Sequence, residues 1–191
     1  MAAGGNYAIV NRLTIGRAVA AAFAETFGEE PELVYEISHN LVQEERHPDL
    51  FKDPVWIHRK GATRALPAGH PMLAGTRWEK TGHPVLIPGS MGDFSYVLRP
   101  RPGAARALYS VNHGCGRRKS RSAARREISQ AEADRRMREL GVVVNAGGRV
   151  PVDESPECYK PAEEVVRAVT EAGLAEIEVR LAPIASIKGN D

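Results

Sequence analysis

His113 sits between small residues and a run of cations: His113-Gly114-Cys115-Gly116-Arg117-Arg118-Lys119-Ser120-Arg121. Small neighbours leave an imidazole open from several sides, and arginines can hold phosphate oxygens close by through paired hydrogen bonds. An unprotonated ring nitrogen in such a place can attack phosphorus and form a phosphoramidate. Charge on the phosphates would call for a divalent ion. Three other stretches carry matching chemistry. Ser38-His39-Asn40 offers an imidazole that can serve as base or metal ligand. His58-Arg59-Lys60-Gly61-Ala62 sets two permanent cations beside a titratable ring. Pro88-Gly89-Ser90-Met91-Gly92, followed by Ser95-Tyr96, exposes backbone N–H groups and hydroxyls that can cradle an anion or the edge of a base. Taken singly, each stretch also reads as ordinary structure: a core histidine, a solvated basic loop, a glycine turn.

Elements must position these residues. Asn11 to Phe27 has helical periodicity, with Gly28 as its stop. Leu33 to Ile37 reads as a short strand that delivers Ser38, His39 and Asn40 at its end. Residues 46–83 read as irregular, with four glycines and four of the six histidines, a pattern that favours function over packing. Strands are expected at Pro84–Ile87 and Tyr96–Leu98, flanking the glycine loop. Ser129-Gln130-Ala131-Glu132 is a capping box for a helix that ends at Gly141. Val142–Val144 and Arg149–Val152 flank Asn145-Ala146-Gly147-Gly148 as a hairpin. Pro161 suits a first helical position, with Gly173 as the stop. Ile177, Val179 and Leu181 alternate as a final strand. Separated helices and short strands indicate an α+β fold.

Bulk properties set outer bounds. The chain has 191 residues, 42% hydrophobic and 26% charged, enough for one domain with a core. No apolar run is long enough to span a bilayer, and no secretory leader pattern is visible, so a cytoplasmic location is expected. Cys115 and Cys158 form no disulfide framework. Net charge is only +2, yet six of the ten residues from Arg117 to Arg126 are basic. Such a block is either a polyanion-binding face or a solvated helix surface.

The order and spacing of these stretches resemble the RtcB family of RNA-splicing ligases. The landmarks are Asn6-Tyr7-Ala8 with Asn11-Arg12, Ser38-His39-Asn40, His58 to Ala62, Ile87 to Gly92, Ser95 to Leu98, His113 to Arg117 with Ser120-Arg121, Asp153-Glu154 with Tyr159-Lys160, and Lys188-Gly189. The resemblance implies that His113 is the nucleophile that attacks GTP and carries GMP covalently, and that His39 is a manganese ligand with Asn40 beside it at the nucleotide. It implies nucleotide contacts from Pro88, Gly89, Ser90, Met91, Ser95, Gly114, Cys115 and Gly116, with Tyr159 near the base and Lys188 recognising guanine. Arg59, Lys60, Arg117, Arg118 and Arg121 are the candidates for RNA phosphates. The implied reaction joins RNA ends bearing a 3′-phosphate or 2′,3′-cyclic phosphate to 5′-hydroxyl ends, in tRNA splicing or RNA repair.

Two departures stand out. Cys115 replaces the family's usual alanine and puts a thiol next to the nucleophile. The family's N-terminal half, which carries an aspartate, a cysteine and further histidine ligands, has no counterpart here. Residues 1–191 are therefore expected to be the C-terminal portion of an RtcB-like ligase domain, with the remaining metal ligands supplied by another segment or partner chain. A truncated paralogue that binds RNA or nucleotide without catalysis is the alternative.

Overall fold

The computed structural model describes residues 2–144 and 149–188. Helices and short strands are separated along the chain, as an α+β arrangement requires. The chain divides into two compact units, residues 1–64 and 65–191.

In the first unit, α1 (Ala2–Phe27) starts nine residues before the position read from its periodicity. Its large apolar side chains stay exposed; Val19, Phe23 and Phe27 are 45%, 47% and 68% accessible. Gly28, at φ 77°, ends it by donating its N–H to the Ala24 carbonyl at 2.9 Å, as a left-handed glycine does. Leu33 to Ile37 is not a strand. The strand begins where that segment was expected to end: β1 (Asn40–Glu45) pairs antiparallel with β2 (Val55–Lys60), from Asn40 opposite Lys60 to Glu45 opposite Val55. β-branched Val55 and Ile57 mark β2, but the proline and glycine clusters around them obscured it. A short β3 (Ala62–Arg64) follows.

The second unit has an apolar core. β4 (Val85–Ile87), β5 (Ser95–Pro100) and β8 (Ala175–Leu181) form an antiparallel sheet with β5 in the middle. Val85, Ile87 and Leu98 are fully buried, packed with Val166 and Val169 of α4 (Ala162–Glu171) and with Val111 of β6 (Ser110–Asn112). Along β8 the row Ile177, Val179 and Leu181 remains about half exposed. A second cluster joins Met91 to Ala133 and Met137 of α3 (Gln130–Glu139). The Ser129 hydroxyl accepts from the Glu132 N–H at 3.2 Å, the capping contact its motif implies. The sequence pattern gives no sign of α2 (Arg121–Glu127), capped by Ser120, because it mixes three arginines with small and acidic residues and carries no apolar stripe.

The hairpin expected after α3 is corrected. Its strand β7 (Val143–Val144) pairs in parallel with β9 (Ala185–Ser186), and residues 152–154 form a single 3₁₀ turn. Its turn, residues 145–148, lies outside the described residues, as does Gly189. Pro161 is the N-cap of α4 rather than its first helical residue. No helix is long and apolar enough to cross a membrane among the described residues.

Candidate functional site

His113 leaves the end of β6. The chain enters that strand through Leu108 and Tyr109, both at φ 51°. This left-handed backbone costs a non-glycine residue about 1–2 kcal/mol, so packing must hold it. Tyr109 is buried against His70, with ring centroids 4.6 Å apart. Beyond the strand, the Asn112 side-chain amide donates to the Gly114 carbonyl at 2.8 Å and fixes the turn that carries His113.

The structure brings the glycine loop against this turn. The Cys115 thiol donates to the Pro88 carbonyl at 3.4 Å, and Gly114 faces Pro88 closely enough that an added Cβ would touch it at 3.7 Å. Gly89 is required where it stands, since a Cβ there would lie 2.2 Å from the Phe94 carbonyl oxygen. Its N–H donates to the Ser95 hydroxyl at 3.1 Å, so Ser95 braces the loop from inside. Asp93 was not singled out by sequence, yet it anchors the whole segment. One carboxylate oxygen accepts from the Phe94 N–H and the other from the Ala162 N–H, each at 2.7 Å. The second contact places a negative charge at the N-terminus of α4, where helix dipole and unpaired N–H groups favour it.

Tyr159 joins the same region through the backbone. Lys160 donates its N–H to the Gly116 carbonyl at 3.0 Å, Arg118 donates to the Cys158 carbonyl at 2.8 Å, and Arg117 and Tyr159 form an antiparallel bridge. A groove of about 290 Å³ opens here, with Ser90, Gly92, Arg118, Tyr159 and Lys160 in its wall. His113 and Lys188 do not line it; Lys188 follows β9 and is half-buried.

The cations of the basic block divide into two kinds. Arg117, expected at RNA phosphates, is turned inward. It lies 4.9 Å over the Tyr159 ring, donates to the Tyr159 oxygen at 3.0 Å and the Lys119 carbonyl at 3.1 Å, and also meets the Asp153 carbonyl. Arg121 and Arg125 pair with Asp153 at 3.5 and 3.2 Å, and Lys119 pairs with Glu127 at 2.7 Å. The acidic turn Asp153-Glu154 thus neutralises much of the block. The Tyr159 hydroxyl donates to Glu154. Burial, then this bond and the carboxylate charge, push its pKa up to about 12 and keep the phenol neutral. Burial, helped by Asp93, pushes the Cys115 thiol up to about 11, so the thiol beside His113 is protonated at neutral pH and a poor nucleophile.

In the first unit, His39 immediately precedes β1 and Asn40 opens it, and the Gly61 N–H donates to the His39 carbonyl at 3.0 Å. His58 Nε2 lies 3.3 Å from Asn40 Oδ1, and Lys60 stands opposite Asn40. A groove of about 420 Å³ is lined by Gly5, Ala8, Arg12, Ser38, His39 and Asn40. Arg12 crosses it to reach Glu36 at 3.0 Å and the Ser38 hydroxyl at 3.0 Å. Arg59, expected at RNA phosphates, is 6% exposed and both its terminal nitrogens grip the Glu45 carboxylate, one at 2.9 Å. His47 Nε2 lies 2.7 Å from the same carboxylate. Three of the four histidines in residues 46–83 (His47, His70 and His83) are buried, and β2 and β3 lie within the stretch read as irregular. Only His58 is exposed.

No three His, Cys, Asp or Glu side chains among the described residues lie close enough together to hold a metal ion. His39 offers a single imidazole, so manganese does not fit these residues alone.

The family model for tRNA-splicing ligase RtcB matches residues 1–189. The chain belongs to the RtcB family. It is 41% identical to the tRNA-splicing ligase RtcB of Nanoarchaeum equitans and 41% identical to that of Thermococcus kodakarensis, in each case over 99% of this chain and 41% of the relative. The corresponding protein of Pyrococcus furiosus is 43% identical over 99% of this chain and 20% of its own length. The chain therefore spans well under half the length of these RtcB relatives.

Proposed function

We propose that these residues act as the nucleophile-bearing, C-terminal part of a GTP-dependent RNA ligase. The observation that supports this most is the packing of the Pro88–Ser95 loop against the His113–Gly116 turn, with Tyr159 tied to the same turn. An unprotonated nitrogen of His113 attacks the α-phosphorus of GTP. The N–P bond forms, the bond from that phosphorus to the bridging oxygen breaks, and pyrophosphate leaves with the electron pair. An RNA 3′-phosphate oxygen then takes GMP from the histidine. A 5′-hydroxyl attacks the activated 3′-phosphorus, the new phosphodiester forms and GMP departs. Gly114, Cys115, Gly116, Pro88, Gly89, Ser90 and Met91 line the nucleotide's path with backbone groups. Lys188 offers three donors and no acceptor, which suits guanine O6 and not the adenine amino group. His39, with Asn40 beside it, contributes one metal ligand in this reading. The other donors come from polypeptide of the kind the longer relatives carry outside the matched region. The substrate is RNA of tRNA splicing or repair.

The test is incubation of the chain with manganese and GTP labelled at the α-phosphate, together with the unmatched N-terminal portion of an RtcB relative. The expected result is acid-labile label on the wild type and none on His113→Ala. Label that persists in His113→Ala, or that survives acid, would overturn the assignment.

A further inference from the structure

The basic block is largely self-neutralised, and that narrows where a polyanion can bind. Arg117, Lys119, Arg121 and Arg125 each face a carboxylate or carbonyl of the chain. Arg118 and Lys160 make no ion pair among the described residues, and both stand in the wall of the 290 Å³ groove. The bridge between Arg117 and Tyr159 puts Arg118 opposite Cys158 and Lys160 opposite Gly116, so the two cations stand on either side of the bridged pair. Between them is Tyr159, a neutral phenol with Arg117 against its ring. Ser90 and Gly92 also line the groove, as do Asp93, whose carboxylate accepts from two backbone N–H groups, and Arg136, whose charge is met by Glu157 at 3.6 Å. Unpaired cations in a groove beside the turn that carries His113 suit the end of a single nucleic-acid strand, whose phosphates take the charges.

We infer that Arg118 and Lys160 form the cationic wall that receives the backbone phosphates of a single-stranded RNA end, and that the paired cations Lys119, Arg121 and Arg125 do not. The inference rests on the RNA-ligase reading but is read through RNA binding alone, independently of guanylylation. An Arg118→Ala/Lys160→Ala double variant removes two side-chain charges and leaves the backbone bonds intact; an unchanged thermal midpoint checks the fold. The probe is a short single-stranded RNA with a 3′-phosphate, titrated by fluorescence anisotropy over a range of salt. The expected result is roughly ten-fold weaker binding at low salt, with the slope of log affinity against log salt shallower by about 0.7 for each phosphate left without its cation. An Arg121→Ala/Arg125→Ala control should change affinity less than two-fold, roughly the effect of removing exposed, already paired charges. A parallel titration with GTP should be unaffected by the double variant. An equal drop in RNA affinity in the two double variants, a drop in GTP affinity alone, or a wild type that is guanylylated yet does not bind the RNA would each overturn the inference. Failure of guanylylation with the RNA result intact would instead overturn the ligase mechanism and leave this surface standing.

Discussion

The two units are stabilised by different physics. Residues 65–191 contain all three clusters of buried apolar side chains among the described residues, and the glycine loop and His113 turn are built directly on one of them. Among the described residues of 1–64 the most deeply buried are Glu45, His47 and Thr63, with Arg59 next, while α1 exposes its apolar residues. An apolar core is nondirectional and tolerates partial repacking. A buried carboxylate shared by two arginines and a histidine is directional and fails as a unit. The hairpin that presents His39 and Asn40 at one end is therefore held at its other end by charges.

The largest expected effect breaks that network. Glu45→Gln leaves Arg59 buried without its counter-charge, and loss of one partner of a buried pair costs about 3–5 kcal/mol. Hydrogen exchange should show the loss in residues 40–60 with little change around β5; uniform loss throughout the chain would remove the distinction between the units. The same network sets an acid limit. Burial alone would raise the Glu45 pKa, but hydrogen bonds and charge from Arg59, with His47 and Arg64, outweigh it and hold the value below the ordinary 4.5. A lowered folded-state value means the stabilisation is present above the unfolded carboxyl's range and is lost as pH falls through the folded value. Acid titration should therefore release the first unit below the ordinary carboxyl value of 4.5, and Glu45→Gln should flatten that loss.

Leu98→Ala comes next. The side chain is fully buried in the second unit, and such truncations cost about 2–5 kcal/mol. Chemical denaturation should show this loss, with exchange concentrated in β4, β5 and α4; a cost near zero would mean the cluster does not support the site. The smallest effect belongs to Phe23→Ser. At 47% exposure in α1, the change should shift the stability of this chain by about 0.5 kcal/mol or less, as at ordinary surface positions. A loss above that would show that α1 is covered in solution.

Much of the site could be read before any fold was known. The glycine spacing in Pro88–Gly92, the small residues around His113 and the caps at Ser129 and Gly28 are local: each depends on backbone geometry within a few residues, which residue type constrains directly. The same locality explains the misses. Strand β2 lacks clean alternation, and α2 has no apolar stripe, so periodicity carried no signal for either. Asp93 caps a helix that begins at Ala162, and no pattern within one segment encodes a contact over that separation.

Sequence by itself determined the chemistry on offer: the imidazole of His113 among small residues, the turn-forming loop, the cationic block and, through the ordered landmarks, membership of the RtcB family. Only the tertiary structure decided which charges remain available. Arg59 and Arg117 look the same as Arg118 in the chain, but one is sealed against Glu45 and another against Tyr159 and Asp153, while Arg118 lines a groove with no ion pair among the described residues. The physical reason is that residue type fixes a charge, whereas its partner and its exposure to solvent are set by segments far away in sequence, and these decide whether that charge is spent inside the protein or presented to a ligand.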